Sequence, residues 1–434
     1  MIKKTKTLKA ILLLAVLAQP VFARAGFHNG GVGECNGCHT VHRAPAVANG
    51  TATQSGPYLL RATDQGSICL NCHEMPNLTG PSDRYISTPE SEMPQGVPPK
   101  QMTPGGDFGW LKKTYTWMSG TNVYTDHGYA HGHNIVAADY GYAADPMGTV
   151  APGGTYPAED LTCISCHDPH GEYRRTVGGK IIEDGLQNSC ASGSYDTSPD
   201  PTVSCPVGDY RLLGGIGYSP VSIPGYAFTA GPPVAVAPSV YNRSEAVTQT
   251  RVAYGEGMSE WCANCHPAFL NSQPSTSGAY RHPAGNGAKM GRLADNYNRY
   301  IKTGDISGTK TTSYLSLVPF EEGTGDYTIL KSHAKNDNSY LTGPDANSNV
   351  MCLTCHRAHA SGWDFMLRFD PYGQTFITAD PGGQSVWPGT DVPGDSAQAM
   401  GRTQAETSRA YYDIPASRFS PFQRSLCNKC HIQD

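Results

Sequence analysis

CNGCH (Cys35, Cys38, His39), CLNCH (Cys69, Cys72, His73), CISCH (Cys163, Cys166, His167), CANCH (Cys262, Cys265, His266), CLTCH (Cys352, Cys355, His356) and CNKCH (Cys427, Cys430, His431) recur along this 434-residue chain. These six copies of Cys-x-x-Cys-His take up twelve of its fourteen cysteines. A random ordering of the same composition would give roughly 0.02 such matches, so the spacing is not accidental. Two cysteines three apart lie one turn apart on a short helix, where both sulfurs can bond the vinyl groups along one edge of a porphyrin. The histidine that follows binds the iron from below as the proximal ligand. Zinc or thiol–disulfide chemistry also uses CxxC pairs, but neither calls for a histidine after the second cysteine six times in six. The chain therefore predicts a c-type cytochrome with six covalently bound haem c groups.

The amino terminus points to export. Lys3, Lys4, Lys6 and Lys9 precede an apolar run from Ala10 to Ala18, and Ala23-Arg24-Ala25 has the small-x-small form of a cleavage site. Nine apolar residues are too few to cross a bilayer. Residues 1–25 are thus expected to be a signal peptide and residues 26–434 a single multihaem domain, exported to the cell outer surface or beyond. Cleavage there removes five of 32 basic side chains and no acidic one, which leaves 27 against 37, a net charge of −10. Twelve haem propionates would add to that, so nucleic acid is not an expected partner.

Gly 49 and Pro 33 make about 19 % of the chain, against a usual share near 12 %. Long amphipathic periodicities are absent. The expected fold is mostly coil and turns, with short helices around the CxxCH motifs, little or no sheet, and the haems forming the core, since about 68 residues serve each apolar ring. Residues 241–255, opening with Asn242 and Ser244 as possible caps, are a further helix candidate. Residues 94–106 and 219–238 read as connectors, and no fixed-period repeat is visible. Cys190 and Cys205 belong to no haem motif and most simply form a disulfide, worth on the order of 3 kcal/mol for a loop of about 15 residues.

Nine histidines lie outside the motifs: His28, His42, His127, His131, His133, His170, His282, His333 and His359. If every iron takes a second imidazole, six of the nine are used and no coordination site is left for a substrate. His42, His170 and His359 each stand three residues beyond a proximal histidine, on the same side of a turn, so they should reach a neighbouring haem and not their own. This forces the haems close together. His28, His133, His282 and His333 complete the distal candidates, while His127 and His131 are expected to be solvated neighbours of His133.

Several longer stretches are similar to the hexahaem outer-surface c-type cytochromes of metal-reducing bacteria that polymerise into conductive filaments. They are FHNGGVGECNGCHTVH at 27–42, TPGGDFGWLKKTYTW at 103–117, APGGTYPA at 151–158, TQTRVAYGEGMSEWCANCH at 248–266, RHPAGNGAK at 281–289, CLTCHRAHASG at 352–362 and LCNKCH at 426–431. The resemblance implies a bis-histidine haem chain of alternating parallel-stacked and T-shaped pairs that runs through head-to-tail protomers. It also implies that a histidine near the amino end ligates a haem of the next protomer, and His42 occupies that position. Cys190, Cys205, His127 and His131 depart from what it leads one to expect. The function that follows is extracellular electron transfer by hopping along the haems. Donors would be periplasmic or outer-membrane cytochromes, and acceptors would be extracellular, such as metal oxides or other cells. The alternatives are a multihaem reductase of a small nitrogen or sulfur substrate, which would need an open iron, and a discrete carrier that does not polymerise. Mass spectrometry of the exported protein is expected to show a chain starting near Gly26 with six covalent haems; a haem-free chain would contradict the reading.

Overall fold

The computed structural model describes residues 28, 35–40, 46–48, 51–53, 59–80, 84–183, 189–220, 223, 225–270, 282–372, 377–392, 397–421, 423 and 426–432. The signal-peptide expectation for residues 1–25 and the assignment of His42 fall outside them. Helices are short and lie at the motifs: Cys35–Cys38, Gln65–His73, Met258–Cys262, Cys352–Cys355 and Asn428–His431, with a 3-10 turn at Cys163–Ser165. The longest of these, Gln65–His73, starts where the Asp64 carboxylate accepts from the Ser67 backbone amide at 2.7 Å. A capping side chain of this kind sets where a nine-residue helix begins, because so few residues cannot sustain a helix by propensity alone. Among the described residues no helix is long and apolar enough to cross a membrane.

Sheet is sparse, as the composition suggested, and comes in small pieces with strands of two to five residues. Five small antiparallel sheets are present among the described residues, and one has three strands, ordered Ile181–Glu183, Tyr173–Arg175, Val207–Gly208. The hairpin Tyr115–Ser119 with Asn122–Asp126 pairs Tyr115 with Asp126 and turns at Gly120, whose φ of +61° favours glycine. Residues 241–255 are not a helix. They form an irregular segment that runs into the strand Ala253–Glu256. Of the two side chains proposed as caps, Ser244 accepts from the Ala246 amide at 3.3 Å, but Asn242 has tertiary partners, accepting from the Met102 amide at 2.6 Å and donating to Gln101 at 2.6 Å; further along the segment Gln249 accepts from the Ser316 amide at 2.7 Å. Local propensity is overridden by those long-range bonds. Residues 94–106 are irregular as expected, and the connector at 219–238 contributes the strand Val234–Val236.

The chain also builds an aromatic core of its own. Trp110, Tyr297, Trp363, Trp387, Tyr411 and Phe419 belong to one buried cluster, with Trp387 stacked on Tyr411 at 4.2 Å. Beside it Arg402 is fully buried, donating to the Gly362 carbonyl from Nε (3.0 Å) and Nη2 (2.6 Å) and to the Asp126 carboxylate. His131, expected to be solvated, has no exposed surface: it donates to the Trp110 carbonyl at 3.0 Å and meets Asp126 at 2.9 Å. Burial by itself would raise Asp126, but the His131 hydrogen bond and charge together with the Arg402 guanidinium hold its carboxyl well below the usual range. This knot ties the hairpin to the carboxy-terminal third of the chain. Backbones also meet closely at Gly106 (φ +96°), where a Cβ would lie 1.7 Å from the Ala360 carbonyl, so only glycine fits beside the segment that follows the fifth motif. Cys190 and Cys205 are disulfide-bonded, with Cα atoms 5.5 Å apart. Arg402→Met leaves Asp126 buried without its guanidinium and is expected to destabilise the protein by about 3–5 kcal/mol, read as a lowered denaturation midpoint by circular dichroism; an unchanged midpoint would show that the knot is not structural.

Candidate haem-binding sites

Four of the attachment turns are pinned so that the histidine has one defined orientation. The Nδ1–H of His73 donates to the Arg84 carbonyl, that of His167 to Arg211 and that of His356 to Phe365, each at 2.8 Å. His266 donates in the same way to Pro152 at 2.8 Å. A carbonyl oxygen can only accept, so the proton sits on Nδ1 and Nε2 keeps the lone pair that a metal needs. His133 and His282 follow the same rule, donating to Ala358 at 2.8 Å and to Pro283 at 2.9 Å. Burial lowers several of the rings: it pushes His73 and His133 down to about 4 and His359 to about 3, and it lowers His167 and His356 as well. Other side chains hold the carbonyls in place. The Arg211 guanidinium lies 4.4 Å over the Tyr241 ring and donates to the Tyr195 hydroxyl at 2.8 Å, while Arg368 Nε donates to Leu353 and His356 carbonyls at 2.7 and 3.0 Å.

The structure brings four motif histidines opposite a second imidazole. Ring centres are 6.4 Å apart for His73 and His28, 6.4 Å for His167 and His359, 6.1 Å for His266 and His133, and 6.2 Å for His431 and His282. Two metal–nitrogen bonds of about 2.0 Å, with each nitrogen about 1.1 Å from its ring centre, require a separation of about 6.2 Å. Direct stacking of imidazoles would bring the rings closer than this. The cysteines stand beside the same rings, on the turns that carry the proximal histidines, so the residues present fit a covalently held, doubly ligated haem at each of the four.

His359 stands opposite His167 of the third motif, not His356 of its own. His170, with its side chain 72 % exposed, lies beside His28. Among the described residues no second imidazole ring stands opposite His356. His333 is placed elsewhere: its Nδ1 is 2.6 Å from Glu322, which also binds Arg251, and its ring stacks on Tyr340 at 3.9 Å. His127 is exposed and stacks on Tyr129 at 5.0 Å. Sequence reasoning did not anticipate the carbonyls that orient the rings, because every residue carries one and no side chain marks it.

Successive motifs touch. Cys38 and Cys69 flank one small apolar cluster of Leu60, Ala62 and Ile68. The Cys69 side chain is hydrogen-bonded to Cys163, and Cys262 to Cys352. The buried thiol of Cys166 feels that of Cys265 across the third and fourth motifs, and Cys355 feels Cys427 and Cys430 across the fifth and sixth. The sites therefore follow one another in space in the order in which they occur along the chain.

No family model matches the chain. It is 55 % identical over 439 residues, covering all of both chains, to the C-type cytochrome OmcS of Geobacter sulfurreducens. Among solved structures it matches the OmcS nanowires from Geobacter sulfurreducens seen by cryo-electron microscopy, with a TM-score of 0.87 and 56 % identity over 94 % of this chain and all of that one. The outer membrane cytochrome S filament of the same organism matches with a TM-score of 0.87 and 55 % identity over the same shares. With full-length identity on this scale, the chain belongs to the OmcS family of c-type cytochromes.

Proposed function

We propose that this protein carries electrons outside the cell along six haems, each held by one CxxCH motif and two imidazoles, in protomers joined head to tail as a filament. The observation that carries the reading is the set of imidazole pairs at 6.1–6.4 Å, strung together by contacts between successive attachment motifs. The printed descriptions of the two matching structures, a nanowire and a filament, support the polymer. Bound haem c would supply one-electron cycling of iron, in the low-potential range because no methionine serves as an axial ligand.

The chain's own part is positioning. Backbone carbonyls fix the ring planes of four proximal histidines, burial favours the neutral form of His73, His167 and His356, and the close joints between motifs keep neighbouring sites in contact. Donors are cytochromes of the periplasm or outer membrane, and acceptors lie outside the cell, with metal oxides or other cells as the expected class. His42, outside the described residues, is assigned to the haem of His356 in the next protomer, and His170 to that of His39. His333 is left over.

Filaments are expected to be low-spin throughout and not to bind carbon monoxide when reduced; stoichiometric uptake at one iron would instead favour a reductase with an open site. His42→Ala is expected to abolish filaments in negative-stain micrographs while the five other sites stay low-spin, whereas filaments of normal length would remove the ligand from the joint.

A further inference from the structure

Glu321 has no exposed surface and stands where the fourth and fifth attachment turns meet. Its Oε1 accepts at 2.8 Å from the amide of Met258, the first residue of the helix Met258–Cys262 that leads into the fourth motif. Its Oε2 faces the side-chain amide of Asn349, 3.4 Å away and three residues before Cys352 of the fifth motif. Backbone bonds between Glu321 and Asn349 run both ways, at 3.1 and 2.9 Å. The two motifs touch at the same place: the side chains of Cys262 and Cys352 meet, and the Cys352 amide donates to the Ser259 hydroxyl at 3.0 Å. A carboxyl group is thus part of the joint between two haem sites.

A buried carboxylate calls for a cation or several strong donors, and Glu321 has neither. It forms no ion pair among the described residues, whereas the adjacent Glu322 meets Arg251 at 2.9 Å and His333 at 2.6 Å. The titratable groups that face it bring no positive charge. Glu260, on the fourth-motif helix, adds a second carboxyl, and Cys352 is a neutral thioether once a haem is attached. From the strand Ala253–Glu256, Tyr254 packs its ring against Tyr210, and Glu256 lies beside Gly325. Lys289, bridged to Asn349, is turned to the Asn347 carbonyl at 2.9 Å. Burial raises the Glu321 carboxyl to about 7, and the Glu260 charge adds to the rise against the Met258 hydrogen bond.

Two neighbouring atoms suit a proton that comes and goes. Asn349 Oδ1 is buried with no partner, so turning this amide over sets an acceptor opposite a protonated Oε2. Glu260 Oε2 is likewise buried and unpartnered, while its Oε1 accepts at 2.7 Å from the amide of the exposed Asn286. Glu321 therefore has a partner in either protonation state, and a second carboxyl links it to the surface.

We infer that Glu321 takes up a proton from solvent when an electron arrives at the fourth or fifth haem site, and releases it when the electron moves on. One electron reduces one ferric iron to ferrous, one proton turns the carboxylate into the acid, and the two changes reverse together. The cause is charge: the electron cancels one positive charge in the interior that Glu321 shares, which disfavours the carboxylate further. A unit charge about 10 Å away, at an effective permittivity of about 20, changes an ionisation constant about tenfold. Reduction is then easiest where Glu321 is already protonated and becomes harder as pH rises through the neutral range. It levels off once Glu321 stays ionised in both redox states.

This inference rests on the proposed function for its haems and is tested apart from it. Spectroelectrochemical titration of holoprotein filaments between about pH 5.5 and about pH 9 is expected to show up to two haems whose reduction becomes about tenfold less favourable at the alkaline end. Infrared difference spectra are expected to gain a carboxylic-acid carbonyl band on reduction. Glu321→Gln keeps an oxygen for the Met258 amide and mimics the protonated group. It is expected to abolish both the pH dependence of those haems and the band, with every iron still low-spin. Glu260→Gln is expected to move the fall to lower pH without abolishing it. Wild-type reduction that ignores pH would overturn the inference, as would Glu321→Gln protein that keeps both the dependence and the band, which would assign the proton to a haem propionate. Where Glu321→Gln does not assemble, an unmoved pH window in Glu260→Gln overturns it. A high-spin or haem-free wild type would instead strike the proposed function, since those signals read ligation and not protons.

Discussion

An iron that takes two imidazoles fixes the distance between them, and everything else in this chain serves that separation of about 6 Å. In each of the four imidazole pairs one ring comes from a CxxCH turn and the other from a distant part of the sequence, so a haem held there would also be a long-range cross-link between segments. His359 and His167 are 192 residues apart in the chain, and His28 and His73 are 45 apart. Such ties explain how a polypeptide with short helices and two- or three-stranded sheets holds a defined structure.

The ties need rigid anchors, and the backbone provides them. Arg84, Arg211, Pro152 and Phe365 each give a carbonyl to a proximal imidazole, which fixes the tautomer and the plane of the ring. Two of these carbonyls come from turns with left-handed non-glycine residues, a local strain that the surrounding bonds to the motif over-determine. The aromatic cluster around Trp387 and the buried knot of Arg402, Asp126 and His131 stabilise the carboxy-terminal half, where the fifth and sixth motifs lie.

Much of the site was legible in the sequence because covalent attachment demands an invariant spacing. The twelve motif cysteines, the six proximal histidines and the idea that His359 reaches a neighbouring haem all follow from residue offsets. The choice among the distal candidates did not: His133 and His282 sit opposite imidazoles, whereas His333 is engaged by Glu322 and Tyr340, and nothing in the sequences immediately around these three, GHN, RHP and SHAK, distinguishes them. The burial of His131 was hidden for the same reason, since its partners Asp126, Trp110 and Arg402 converge only in three dimensions. The helix expected at 241–255 failed because Asn242 and Gln249 bond to segments far away in the chain.

The account stands on every iron being held between two imidazoles. Near-infrared magnetic circular dichroism of assembled filaments measures this directly, because it distinguishes imidazole–imidazole from imidazole–methionine and from five-coordinate iron. The expected spectrum is that of bis-imidazole ligation at all six sites, with no other species. A methionine-ligated or five-coordinate iron in intact filaments would contradict it.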